Sequence, residues 1–123
     1  MRKPRGFFPA LLVQAALLAA LVAVPASAQN KPGEATIKEI EQNDRVRVYE
    51  VIYKAGETLP SAKRPMRVVH AIQGGTLERT FEDGKKEAVT FKTGETKIIN
   101  EEKPYALKYP GKGVIHLLIV AVK

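Results

Sequence analysis

The sequence predicts an all-β domain, a sandwich or flattened barrel, and three observations predict it. Beyond residue 34, runs rich in β-branched and aromatic residues are separated by tight-turn signals. No window carries a helical period of useful length. A six-residue pattern, aromatic-Lys-small-Gly-Glu-Thr, occurs as "YKAGET" at 53–58 and again as "FKTGET" at 91–96.

The N-terminus is read separately from the domain. Arg2, Lys3 and Arg5 form a basic head, the run from Ala10 to Val24 is apolar apart from Gln14, and Pro25 breaks it before the small residues Ala26, Ser27 and Ala28. That order is a secretory signal peptide over 1–28, cleaved after Ala28. The rival is a retained anchor, but Pro9 and Gln14 interrupt the stretch from Phe7 to Val24. The expectation is an exported, periplasmic protein with no membrane span after cleavage.

Removing 28 of the 123 residues leaves 95, enough for one small domain. There is no Cys, so packing alone must stabilise it in an oxidising compartment. The leader takes three of the 20 Lys and Arg, leaving 17 against 13 Asp and Glu. With no basic run in an exported chain, this mild excess argues against nucleic acid. It leaves either a solvated basic exterior or attraction to anions.

Gln29 to Glu34 is polar, holds Pro and Gly, and reads as a flexible arm; the domain spans 35–123. "ATIKEIE" is a short first strand. "RVRVYEVIY" (45–53) has Val46, Val48 and Ile52 on one parity and Tyr49, Val51 and Tyr53 on the other, so both its faces carry apolar groups. "MRVVHAI" (66–72) ends at Gly74-Gly75. "TLERTF" (76–81) and "KEAVTF" (86–91) flank Asp83-Gly84, read as a type I′ hairpin turn. "TKII", "YALKY", the turn "PGKG" and the closing "VIHLLIVAV" follow, making about eight strands. In each copy of "K-x-G-E-T", Gly stands where the backbone needs positive φ.

This arrangement resembles the cupin superfamily. Its first motif reads Gly, five residues, His-x-His, three or four residues, Glu, six residues, Gly. From Gly56 that spacing lands on Ala62, Arg64, Val68 and Gly75. The second motif reads Gly, five residues, Pro-x-Gly, two residues, His, then Asn. From Gly94 it lands on Asn100, Glu102, Tyr105 and Tyr109. "VVHAIQGGTLERTFEDGK" and "VIHLLIVAVK" are similar to the central hairpin and closing strand of small exported single-domain cupins. The resemblance implies a single cupin-like antiparallel β-barrel, a double-stranded β-helix or jelly roll, and the two repeated turns then mark equivalent corners of its two halves. Homodimerisation is implied as well, and the first strand is the segment expected to cross between subunits.

The family resembled holds a divalent ion with three His and one Glu. Here those places carry Ala62, Arg64, Val68 and Tyr105, so neither metal nor other cofactor is expected. His70 and His116 alone are a thin basis for another metal site. His70 lies two residues past Val68, about 7 Å along the strand, and so shares its face. Ser61 is the only Ser outside the leader and has no His near it in sequence.

The basic corner "AKRPMR" holds Lys63, Arg64 and Arg67. Arg64 occupies a place that in the family points to the barrel mouth, where a guanidinium needs an anionic partner. An internal acid such as Glu57 or Glu78 meets that need, or else a ligand carboxylate or phosphate does. The leading reading is a metal-free binding or accessory barrel for a small anion, with Arg64, Tyr105, His70, Lys63 and Arg67 at the ligand. The alternatives are an isomerase using Tyr105 and His70, a metal enzyme with a non-standard site, and a structural or partner-binding envelope domain.

Overall fold

A computed structural model describes residues 31–123. The signal peptide expected over 1–28 and its cleavage point lie outside the described residues. Nine strands run in chain order: β1 (Thr36–Gln42), β2 (Val46–Lys54), β3 (Thr58–Ala62), β4 (Arg67–Gln73), β5 (Gly75–Phe81), β6 (Lys86–Phe91), β7 (Thr96–Ile99), β8 (Tyr105–Lys108) and β9 (Val114–Val122). They form a five-stranded sheet, β1-β2-β9-β4-β7, and a four-stranded sheet, β3-β8-β5-β6. Every strand pairing is antiparallel.

The strands form because alternate residues can meet across the two sheets. In β9, Ile115, Leu117, Ile119 and Ala121 are buried and their neighbours are not. Tyr49, Val51 and Tyr53 of β2 and Val69 and Ala71 of β4 join them from the same sheet, while Leu77, Phe91, Tyr105 and Leu107 face them from the other. Each large apolar side chain so buried contributes about 1.5–3 kcal/mol.

β3 is a ninth strand that sequence reading does not supply. It is five residues long, contains Pro60, and keeps irregular register with β8 between Leu59 and Ala62. It lies at the edge of its sheet, where a missing proline N–H is tolerated. The arm expected over 29–34 is tied down in its described part. Glu34 bridges Thr58, the Thr58 N–H donates to Gly33, and Ala35 is buried.

The two repeated turns are the same structure. Gly56 and Gly94 both have positive φ, 81° and 87°. In each, the Glu N–H donates to the Lys carbonyl at 2.9 Å, and the Glu carboxylate accepts from the Lys N–H at 2.8 Å. The Asp83-Gly84 hairpin differs from the expected type I′ turn. Gly84 N–H donates to Phe81 O and Phe81 N–H to Lys85 O, leaving a three-residue loop with Gly84 at φ 93°. A type I turn followed by a left-handed glycine suits that loop length.

Candidate functional site

A cavity of about 300 Å³ runs into the barrel between the sheets. Its walls are the inward residues of both, among them Val51, Val69, Leu77, Phe91, Leu117 and Ile119. One end of the barrel carries the repeated turns, whose glycine N–H groups donate to Tyr109 O and Ala71 O. The other end gathers arginines. The rung of the five-stranded sheet at that end reads Arg47, Ala121, Arg67 by pairing. A methyl group thus stands between two guanidinium stems. Arg79 approaches from β5 and Arg64 from the β3–β4 connection, and all four line the cavity.

Tyr105 is the hub. Arg79 and Arg64 hold their guanidinium carbons 4.7 and 4.8 Å from its ring centroid, within cation–π range. Arg67 donates to its hydroxyl, and Phe81 packs edge-on against its ring at 5.5 Å. Beneath it, Tyr53 is only 1% exposed. Burial pushes the phenols of Tyr53 and Tyr49 above their ordinary value, so both remain proton donors. Neither hydroxyl has a hydrogen-bond partner among the described residues, although both tyrosines line the cavity.

The four arginines divide by partner. Arg79 donates to Glu102 at 2.9 Å and to Glu87 at 2.7 Å. Burial alone would depress it, but these bonds and a contact with Tyr105 outweigh that and raise it. Arg47 is bound by Glu39, which holds it above its usual range. Arg64 donates instead to the carbonyls of Ala62, Pro60 and Tyr105, and Arg67 to Pro65 O and the Tyr105 hydroxyl. Neither Glu57 nor Glu78, the acids considered from sequence, reaches Arg64; Glu57 accepts from the backbone of Lys54. Burial, the largest influence on Arg64, lowers its pKa. Lys63 lies at the rim, well exposed, and pairs with Glu101 at 3.4 Å.

Several sequence expectations are corrected here. Val68 does not face the lumen: it is 37% exposed, whereas Val69 is buried and lines the cavity. A shift of one position in a strand moves every side chain to the other face. His70 therefore stands outside, its Nδ1 2.8 Å from the Thr96 hydroxyl. His116 is also on the outer face, 3.0 Å from Glu50. The isomerase pairing of Tyr105 with His70 fails because the sheet separates them. Arg67, expected with Arg64 at the ligand, is 5% exposed and lies inside the mouth.

Sequence reading missed Arg47, Arg79, Tyr49 and Tyr53 as site residues. The signal was present in the alternation: Arg47 shares parity with Tyr49, Val51 and Tyr53, and Arg79 with Leu77 and Phe81. Ser61 donates to Glu82 at 3.1 Å and has no imidazole partner.

The lumen does not fit a resident cation. Of the places the resemblance reads as metal ligands, Ala62, Arg64 and Tyr105 line the lumen while Val69 stands there in place of Val68, and two guanidinium groups with no carboxylate partner among the described residues repel a divalent ion. Among the described residues no group of three His, Cys, Asp or Glu converges.

No family model matches the chain, and no curated protein matches it by sequence. Solved structures do. A cupin domain from Bordetella pertussis Tohama I superposes with a TM-score of 0.67 at 19% identity, covering 77% of this chain and 99% of that one. An RmlC-like cupin from Methanocaldococcus jannaschii, with a double-stranded β-helix fold, gives 0.58 at 13% identity over 81% and 92%. An oxalate oxidase in complex with the substrate analogue glycolate gives 0.56 at 18% identity over 76% and 54%. At these identities the likeness speaks for architecture, and it agrees with the two facing sheets and the corners marked by the paired turns: the chain has the cupin fold.

Proposed function

We propose that this protein is an exported, metal-free cupin barrel that binds a small anion at its mouth. The observation that carries the reading is the pair Arg64 and Arg67, two guanidinium groups in a cavity whose hydrogen-bond partners among the described residues are all neutral oxygens. A part-buried cation without a carboxylate is costly in the free protein, and an arriving anion recovers that cost through charge-assisted bonds worth about 1.5–3 kcal/mol each. The fork of Arg suits a carboxylate or phosphate better than a lysine does. A thermal-shift screen of organic acids and sugar phosphates, followed by calorimetry, tests the reading. Arg64→Lys and Arg67→Lys are each expected to lose most of the affinity, and a wild type that no anion stabilises overturns it. Export is checked by intact mass after expression with the leader: the osmotic-shock fraction should begin at Gln29.

A second reading, self-association, is supported by the outer face of the five-stranded sheet. Val48, Val120, Val68 and Ile98 follow one another across four strands, with Ile98 68% exposed. The outer face of the other sheet carries Thr76, Glu78, Thr80, Lys86, Thr90 and Lys108 instead. We propose that a second copy of the chain covers the apolar face, with β1 at its edge. Light scattering at about 50 μM should report a dimer, and Val68→Lys with Ile98→Lys should return a folded monomer. A wild type that is only monomeric counts against the pairing.

A further inference from the structure

We infer that the ligand is an amphipathic monocarboxylate: a single anionic head held by Arg64 and Arg67, and an apolar body inserted into the barrel. The inference rests on the anion-binding reading above and adds the ligand's charge, shape and size.

The charge follows from the groups around the mouth. Four guanidinium groups, of Arg47, Arg64, Arg67 and Arg79, meet three carboxylates, of Glu39, Glu87 and Glu102. Lys63 and Glu101 cancel at the rim. Lys85 also pairs with Glu87, at 3.9 Å, so the mouth keeps an excess of positive charge. Arg64 and Arg67 are its two guanidinium groups without a carboxylate among the described residues, and the two oxygens of one carboxylate can take a bond from each.

The shape follows from the walls. Below the arginines the lumen is lined by Val51, Val69, Leu77, Phe91, Leu117 and Ile119, with no carboxylate and no lysine. An acid without an apolar body leaves that space to water that finds few partners there. An apolar cavity of about 150 Å³ takes one benzene ring. The 300 Å³ here accordingly admits a body of on the order of twelve non-hydrogen atoms. The Tyr53 hydroxyl is a second, independent pointer. Its side chain is buried, its raised phenol keeps its proton, and its hydroxyl, without a hydrogen-bond partner among the described residues, opens onto this cavity. A hydroxyl so placed can donate to a ligand. An oxygen of the ligand supplies the acceptor.

The test is calorimetry on the purified exported protein with five probes: octanoate, 2-naphthoate, acetate, inorganic phosphate and the neutral 2-naphthalenemethanol. Octanoate or 2-naphthoate should bind at least about 100-fold more tightly than acetate, since each buried methylene adds roughly fourfold. The alcohol should bind at least about tenfold more weakly than the naphthoate. Leu117→Phe, which fills the lumen, should weaken the naphthoate and leave acetate unchanged. Tyr53→Phe should weaken it about fivefold with no loss of thermal stability, a split that a merely structural tyrosine does not give. If acetate and phosphate bind as tightly as the naphthoate, the amphipathic inference falls and the anion reading stands. If the alcohol binds as tightly as the naphthoate, the anion reading itself falls. If none of the five binds, both fall.

Discussion

Arg79 and Arg64 lie over the same tyrosine ring in opposite electrostatic surroundings. Arg79 is gripped by Glu87 and Glu102, and its side chain is 13% exposed. Arg64 has three carbonyl oxygens and, among the described residues, no acid. Both are held in place by hydrogen bonds, so geometry alone does not separate them. Charge balance does. On the four-stranded side the barrel closes its own electrostatics, and that side is architecture. On the β3–β4 side it leaves two cations facing neutral oxygens, an arrangement that favours something from solution.

The largest effect that would break this contrast is at Arg79. Arg79→Met strands Glu102 and leaves Glu87 with only Lys85 at 3.9 Å, and should cost about 2–3 kcal/mol, the usual buried-pair loss trimmed because both carboxylates are partly solvated. Urea unfolding measures it. A loss below about 0.5 kcal/mol would mean that Arg79 is no more structural than its neighbour. Arg64→Met and Arg67→Met should behave oppositely. Each removes a cation without a carboxylate, so ligand-free stability should stay within about 1 kcal/mol of wild type or rise, while anion binding is lost. Destabilisation beyond about 2 kcal/mol in both would place them with Arg79.

Alkaline titration sharpens the contrast through the phenols. Burial raises Tyr53 above its ordinary value near 10 in the folded protein, with the charge of Arg64 opposing. The unfolded chain therefore gives up that proton first. The stabilising contribution is intact below about pH 10 and lost as pH rises toward the folded value, at up to ~1.4 kcal/mol per pH unit for one proton. Stability should fall above pH 10 and fall less steeply in Tyr53→Phe. Tyr49, raised by the same cause, keeps part of the slope. A slope unchanged in Tyr53→Phe would remove that phenol from the account. The smallest effect is expected from Ala62→Glu. It places an acid beside Arg64 and should change stability by less than about 1 kcal/mol, the scale of a water-exposed ion pair. Anion affinity should nonetheless drop, because the internal carboxylate competes for the fork.

Much of this was legible before folding. The alternation in β2, β4 and β9 and the paired "K-x-G-E-T" corners are local patterns, set by the period of a strand and by the few residues that accept positive φ. That is why "FKTGET" and "YKAGET" make the same hydrogen bonds 38 residues apart. The resemblance, counted from Gly56, implied Arg64 as a mouth residue. Three things were decided only by tertiary structure. One is which face of β4 looks inward: His70 and Val68 stand outside because Arg67 and Val69 pair into the inner rungs beside Ala121 and Ile119. Strand parity says which residues share a face and leaves open which face that is. Another is β3, whose Pro60 hides it from any propensity reading and whose existence depends on the edge of β8. The last is the partner of each arginine. Glu102 reaches Arg79 across 23 residues and Glu87 across eight, whereas among the described residues no acid reaches Arg64 or Arg67. A charge's partner is a matter of distance in space, which sequence separation does not encode, and here that distance divides the arginines that hold the barrel from those free to hold a ligand.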